Sequence, residues 1–223
     1  MTGRRTYGSY NDGCASAHAL DMIGERWALI VVRELLLGPK RFVDIQRDIP
    51  GIGPGPLSQR LQELEETGVV ERRLLPEPAR VTVYGLTKWG HGLEAVNTAL
   101  SLWAVQSPRL PLEADMGPDT LVLAMRAHAR PLAAGSPDRT VALKLTDSRT
   151  TGREAVAYLA TLTSTGSWID KTAVIDGADA EVSSTTRAWK NLIIGGAVLD
   201  RAEDITSSGD RKAVQALINA TKL

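Results

Sequence analysis

Gln59 and Gln62 stand three residues apart within Gly51-Ile52-Gly53-Pro54-Gly55-Pro56-Leu57-Ser58-Gln59-Arg60-Leu61-Gln62-Glu63-Leu64-Glu65-Glu66-Thr67-Gly68. A glutamine amide carries one donor and one acceptor side by side, the pair that meets an adenine edge through two hydrogen bonds. On a helical wheel Leu57, Leu61 and Leu64 share one face, which leaves Gly55, Gln59, Gln62 and Glu66 on the other. The stretch therefore reads as a helix with a buried apolar seam and an exposed polar ridge. Pro54 and Pro56 suit a first helical turn, and Gly68 suits the stop. The chemistry this pattern offers is base reading in a DNA groove. Gln59 and Gln62 would do the hydrogen bonding, while Gly55 and Pro56 would allow close approach or a thymine-methyl contact. Lys40 and Arg41, before the preceding helix, and Arg80, on a later hairpin, suit phosphate contacts. Arg60 flanks the ridge and equally suits pairing with Glu63 or Glu25.

Catalytic chemistry finds little support. His18, His91 and His128 are isolated, with no second ligand at metal spacing, and neither a Gly-x-Ser-x-Gly elbow nor a Cys-x-x-Cys pair occurs. Gly51-Ile52-Gly53 lacks the Lys-Ser/Thr ending of a phosphate loop, and its neighbouring prolines remove N–H groups a phosphate would need. We expect no enzyme, no metal and no cofactor. Cys14, the one cysteine, excludes an internal disulfide and agrees with a reducing compartment. It is either a small packed residue or a thiol activated at a helix start.

The 223 residues suffice for one large domain or two small ones. A hydrophobic content of 43% with 23% charged residues predicts a packed core. Apolar runs are too short to cross a bilayer and no signal peptide is evident, so the expected location is cytoplasmic, away from membranes. The 26 basic and 26 acidic residues cancel, and neither half of the chain holds a surplus. DNA affinity must then come from where the cations sit, not from their total.

The elements that would position the ridge follow in order. Residues 1–13 read as a flexible arm carrying Arg4 and Arg5. A helix starts at Cys14 with Ala17, Leu20 and Ile23 on one side, and a second spans 27–37 before Gly38-Pro39. A third covers 42–48, and Pro50-Gly51 separates it from the ridge helix. Residues 69–75 and 80–86 alternate as a β-hairpin around Pro76-Glu77-Pro78. A helix-turn-helix followed by a hairpin is the winged-helix arrangement. After Thr87, a candidate N-cap, Trp89, Leu93, Val96, Leu100 and Trp103 repeat at steps of four and three. Such a seam packs either inside its own domain or against a second helix.

Cys14, Gly24-Glu25-Arg26-Trp27, Gly38-Pro39-Lys40-Arg41-Phe42, Ile49-Pro50-Gly51-Ile52, Leu57-Ser58-Gln59-Arg60-Leu61, Glu65-Glu66-Thr67-Gly68-Val69-Val70 and Tyr84-Gly85-Leu86-Thr87-Lys88-Trp89-Gly90 resemble the HxlR-type winged-helix transcriptional regulators over residues 14–107. The resemblance implies a cofactor-free homodimer on a double-stranded operator. It places the subunit interface on the helix of Leu20 and on the Trp89–Trp103 seam. It also implies a redox or electrophile switch at Cys14. One departure is Gly53-Pro54-Gly55-Pro56, where the family commonly has serine before its proline, a loss of a side-chain cap.

Residues 108–117 read as a proline-spaced linker. Beyond it a helix at 119–129, strands at 141–145, 172–175 and 181–183, an ambiguous segment at 153–162, and helices at 186–194 and 210–221 give an α+β reading. Element order, with Thr185-Thr186-Arg187-Ala188-Trp189-Lys190-Asn191-Leu192 and Ser208-Gly209-Asp210-Arg211-Lys212-Ala213, resembles a sterol carrier protein type 2-like domain over 118–223. This implies an apolar tunnel for a hydrophobic small-molecule effector, with Tyr158, Trp168, Trp189 and Leu192 as lining candidates. The rival reading is a small-molecule binding or carrier protein whose winged helix mediates protein contacts.

Overall fold

The computed structural model describes residues 9–78, 80–202 and 204–223. The expected basic arm at Arg4 and Arg5 lies outside them. The chain divides into two compact units, Met1–Asn97 and Thr98–Leu223.

The first unit begins with α1 (Ala15–Ile23), α2 (Ala28–Leu35), α3 (Phe42–Asp48) and α4 (Pro54–Glu66). Glycines punctuate them where the backbone turns left-handed: Gly38 (φ 128°), Gly51 (φ 82°) and Gly68 (φ 74°) end α2, the α3–α4 turn and α4. The core gathers Val31, Val32 and Leu35 from α2, Ile45 and Ile49 from α3 and its end, and Leu57, Leu61 and Leu64 from α4, all at most 2% exposed. The hairpin β1 (Val70–Leu74) and β2 (Thr82–Leu86) pairs antiparallel, with Val70 opposite Leu86 and Leu74 opposite Thr82. Lys40 joins its free side, its N–H donating to the Tyr84 carbonyl at 2.9 Å and its carbonyl accepting from the Tyr84 N–H at 2.8 Å. The wing is thereby tied to the start of α3. Thr87 caps the next element: its hydroxyl donates to the Gly68 carbonyl at 2.8 Å and accepts from the Gly90 N–H at 3.0 Å. A single 3₁₀ turn at Gly90–Gly92 leads into α5 (Leu93–Ala104), within which the division between units falls.

The second unit continues with α6 (Pro118–His128), β3 (Arg139–Thr146), β4 (Val156–Leu162), β5 (Ser167–Lys171), β6 (Ala180–Thr185), α7 (Thr186–Ile193), β7 (Ile205–Gly209) and α8 (Arg211–Thr221). The sheet order is β5-β4-β3-β6-β7, with β3 and β6 parallel and the remaining pairs antiparallel. Helices cover one face. Val141, Leu143, Leu145, Tyr158, Ala160, Leu162, Ile169 and Val182 point into that layer and are at most 1% exposed. From the helices, Leu121, Met125, Trp189, Leu192, Val214 and Leu217 complete the core.

Two expectations are corrected here, and one open reading is resolved. The strand expected at 172–175 is displaced to β5, because Ile169 takes the inward position while Val174 stands 72% exposed. The segment 153–162 is a strand from Val156 onward, and β7 adds an edge strand that its serine-rich sequence did not announce. Finally, Tyr158, Trp168, Trp189 and Leu192 do not converge on a tunnel. Three are solid core, and Trp168, next to inward Ile169, emerges on the opposite face of the sheet at 51% exposure.

Asp119, buried in the first turn of α6, accepts a 2.6 Å hydrogen bond from the buried Tyr158 hydroxyl on β4 and binds Lys171 Nζ on β5 at 3.0 Å. One carboxylate thus fastens α6 across two strands. Tyr158→Phe is expected to cost about 1–3 kcal/mol in urea denaturation, the range for a buried hydrogen bond to a charged group. A loss near zero would assign that fastening to Lys171.

Candidate nucleic-acid interface

The ridge helix α4 owes its orientation to its apolar face. Leu57, Leu61 and Leu64 are sealed in the core that α4 shares with α2, β1 and α1, so Gly55, Pro56, Gln59 and Gln62 are all driven to the exposed side. Its start follows the departure noted in the sequence: Gly53 is the N-cap and supplies no side-chain bond, only its carbonyl, which accepts from the Leu57 N–H at 3.1 Å. Pro54 fills the first position, where the missing N–H costs nothing. The glutamine amides are engaged along the helix. Gln59 Nε2 donates to Glu63 Oε1 at 3.0 Å and Gln62 Nε2 to Glu66 Oε1 at 2.8 Å. Each such i,i+4 contact is worth only about 0.2–0.5 kcal/mol, so a base edge can displace it.

The four candidate phosphate cations fall into two groups. Arg41 and Arg80 are exposed, Arg41 binding Asp44 at 2.6 Å and Arg80 lying 3.5 Å from Glu77. Lys40 departs from the expectation of an exposed cation, and Arg60 takes the carboxylate pairing that its position equally suited. Lys40, with its side chain 9% exposed, holds Glu34 at 2.8 Å and Asp48 at 3.1 Å. Arg60, 11% exposed, is clamped to Glu63 at 2.7 Å with Glu25 at 3.9 Å. Both lie low because tertiary packing brings carboxylates from other elements, or from the next helical turn, onto them. The mainly buried Glu34 sits at the centre of this group, also bound by Arg33 at 2.8 Å. Burial pushes its pKa up, but Lys40 and Arg33 outweigh that and hold it below the ordinary glutamate range.

The seam residues stand mostly outside. Leu20, Trp89, Val96, Leu100 and Trp103 are exposed, and Leu93 is half-buried. Beside them lies an apolar cavity of about 220 Å³ lined by Ala19, Met22, Ile23, Val69, Trp89 and Leu93, a feature that seam spacing alone did not reveal. Cys14 is exposed at the N-cap of α1. Hydrogen bonds from the Ala17 and Ser16 backbone N–H groups, then the Ser16 side chain, favour its thiolate and lower its pKa. Among the described residues no cluster of His, Cys, Asp and Glu is suited to a metal, and no helix is long and apolar enough to cross a membrane.

A helix-turn-helix with a β wing defines the class, and comparison with known proteins agrees with it. Residues 22–109 match the HxlR-like helix-turn-helix family. The chain is 41% identical over 88 residues to the HTH-type transcriptional regulator YodB of Bacillus subtilis (strain 168), spanning 40% of this chain and 79% of YodB. It is 39% identical over 89 residues to the HTH-type transcriptional regulator YvaP of the same organism, spanning 40% of this chain and 82% of YvaP. The solved reduced form of YodB overlaps 43% of this chain and 95% of its own, at 38% identity and a TM-score of 0.39. This chain belongs to the HxlR-like helix-turn-helix family through its N-terminal segment. These relatives are transcriptional regulators, and Cys14 lies before the residues that the family model matches.

The Glu34 cluster sets a pH dependence. A carboxylate whose folded pKa is depressed stabilises the fold above its unfolded value, about 4.3, and that contribution fades as pH falls through the folded value. Glu34→Gln should therefore destabilise the protein by about 1–3 kcal/mol near neutrality. The difference from wild type should shrink on acidification, read from urea titrations at several pH values. A penalty independent of pH would remove the ionised carboxylate as its cause.

Proposed function

We propose that this chain is a cytoplasmic, sequence-specific, double-stranded DNA-binding transcriptional regulator that acts as a cofactor-free homodimer. The observation that carries the reading is the α4 ridge: four exposed small or amide residues on a helix whose opposite face is completely buried, inside a helix-turn-helix followed by a wing. In this reading Gln59 and Gln62 pair with base edges, Gly55 and Pro56 give close approach, and Arg41 and Arg80 hold phosphates. Lys40 and Arg60 serve mainly to orient the helices and join the phosphate set by exchanging partners. Leu20, Trp89, Leu93, Val96, Leu100 and Trp103 form the subunit interface, which would present two α4 helices to half-sites about 34 Å apart. Their exposure supports it, since a monomer gains nothing from leaving two tryptophans in water.

Two control inputs belong to the proposal. The first is Cys14, exposed and with a lowered pKa. YodB, the 41%-identical relative, has been solved in reduced, quinone-bound and diamide-treated forms. For this chain we propose that the Cys14 thiolate reacts with electrophiles or oxidants. With a quinone, Sγ would form one C–S bond, and the displaced ring electrons would end on an oxygen that takes up a proton. The second is a hydrophobic effector in the sterol carrier protein type 2-like region 118–223, supported by element order. Its place moves from the four buried or outward residues to an open cleft of about 740 Å³ in the second unit, where Leu102, Val105, Leu110 and Leu112, which precede that region, meet His128 and Ile194 beside the polar Gln106 and Ser107.

Gln59→Ala is expected to weaken binding to an operator, selected from genomic fragments, by about 1–3 kcal/mol while leaving random-duplex affinity nearly unchanged. Equal losses on both duplexes would remove its base-reading role. Duplex affinity that is absent, or indifferent to salt, would favour the carrier reading instead. Benzoquinone or diamide should change operator affinity of wild type and not of Cys14→Ser; the same response in both proteins would dismiss the thiol switch.

A further inference from the structure

Arg47 belongs to no role described so far, although its side chain is 41% exposed on α3. It repeats at three-residue steps with Arg41 and Asp44, so the three side chains share one flank of the helix. Asp44 holds both arginines at once. Its Oδ2 accepts from Arg41 Nε at 2.6 Å, and its Oδ1 accepts from Arg41 Nη2 at 3.2 Å and from Arg47 Nη1. Arg47 Nε turns to Asp48 Oδ1 at 3.1 Å, and Asp48 in turn meets Lys40. Two guanidinium groups therefore converge on one doubly occupied carboxylate. The Asp44 side chain is 17% exposed against 53% for Arg41, so the carboxylate lies beneath a more exposed pair of cations. Hydrogen bonding by Arg41 and Arg47 keeps the Asp44 pKa below the usual aspartate range.

A carboxylate between two arginine forks presents the same charge and the same acceptor geometry as the two non-bridging oxygens of a phosphodiester. We propose that Arg41 and Arg47 form a two-arginine phosphate clamp on α3, which Asp44 occupies in the free protein and yields to a backbone phosphate when the duplex docks. The proposal rests on the DNA-binding reading and deepens it. The first helix of a helix-turn-helix crosses the sugar–phosphate backbone, which brings this flank to the partner the clamp fits. It also accounts for DNA binding by a unit without surplus charge: its cations are stored on carboxylates that phosphates replace. Asp44 then sets the cost of that replacement, so it acts as a brake on affinity without touching a base.

The test uses the full-length protein and a short fluorescein-labelled duplex of mixed sequence, titrated by anisotropy at several salt concentrations. Arg47→Gln should weaken binding and flatten the slope of log affinity against log salt by about one unit, the signature of one lost phosphate contact. Arg41→Gln should do the same. Asp44→Asn, nearly isosteric, should tighten binding by more than the roughly threefold that removing one unit charge about 6 Å from a phosphate in water gives by itself. The gain should fall back to about threefold when Asp44→Asn is made together with Arg41→Gln and Arg47→Gln, because the aspartate then has no arginine to release and only direct repulsion is left. Thermal melting of each variant confirms that the fold is retained. Unchanged slopes in the arginine variants, or an equal gain from Asp44→Asn with and without the arginines, would overturn the clamp while leaving DNA binding intact. Wild-type protein that fails to bind duplex even at low salt would overturn the DNA-binding reading, and the clamp with it.

Discussion

Burying Leu57, Leu61 and Leu64 in the core shared with α2 is the constraint from which the rest of the N-terminal unit follows. Fully burying a leucine contributes about 1.5–3 kcal/mol, so three of them outweigh the few tenths from each polar contact on the outer side of α4. The helix is therefore oriented from within. Once its inner face is committed, Gly55, Pro56, Gln59 and Gln62 have only the outside left to occupy. The same core takes Ile45 and Ile49 from α3 and its end, which sets that helix beside α4 and its charged flank outward. The wing is attached to this pair through the Lys40–Tyr84 backbone bonds, so α3, α4 and the hairpin form one unit.

Charge in this unit is balanced locally as well as in total. Glu34 is almost fully buried yet ionised, because Lys40 and Arg33 are bound directly to it. Each buried charge of the group has more than one partner, Glu34 holding Arg33 and Lys40 while Lys40 also holds Asp48, so the group fixes the fold as a network. Farther out, Arg41, Arg47 and Arg80 make exposed pairs of the kind worth little net stability in water. The gradient runs from deep pairs that hold the fold to shallow pairs that contribute little to it.

The second unit solves a different problem with the same rules. In its five-stranded sheet β3 to β6 turn apolar residues to one face, which the helices cover. Tyr158 reaches through that layer to Asp119, whose second partner on β5 ties the sheet edge to α6. The interior between sheet and helices is filled by Trp189, Leu192 and Met125, none of which lines the 740 Å³ cleft.

The helix-turn-helix, the wing, the capping threonine and the apolar spacing of the seam, though not its exposure, were legible in the sequence because each is written in local spacing: periods of 3.6 and 2, and glycine where the backbone must turn left-handed. Gln59 and Gln62 could be placed on the outside from the three leucines alone. The fates of the cations could not be read in this way. Lys40 is held down by Glu34 and Asp48, six and eight residues away, and nothing in the sequence near Lys40 distinguishes it from exposed Arg41. Likewise β7 carries no apolar alternation and exists because β6 offers it an edge, while Trp168 faces outward because Ile169 won the inner position. Sequence by itself determined the elements and the face each one buries, since those depend on neighbours within a turn or two. Tertiary structure alone decided which charges were already paired and where the cavities lie, because both depend on what residues distant in sequence bring to the same place.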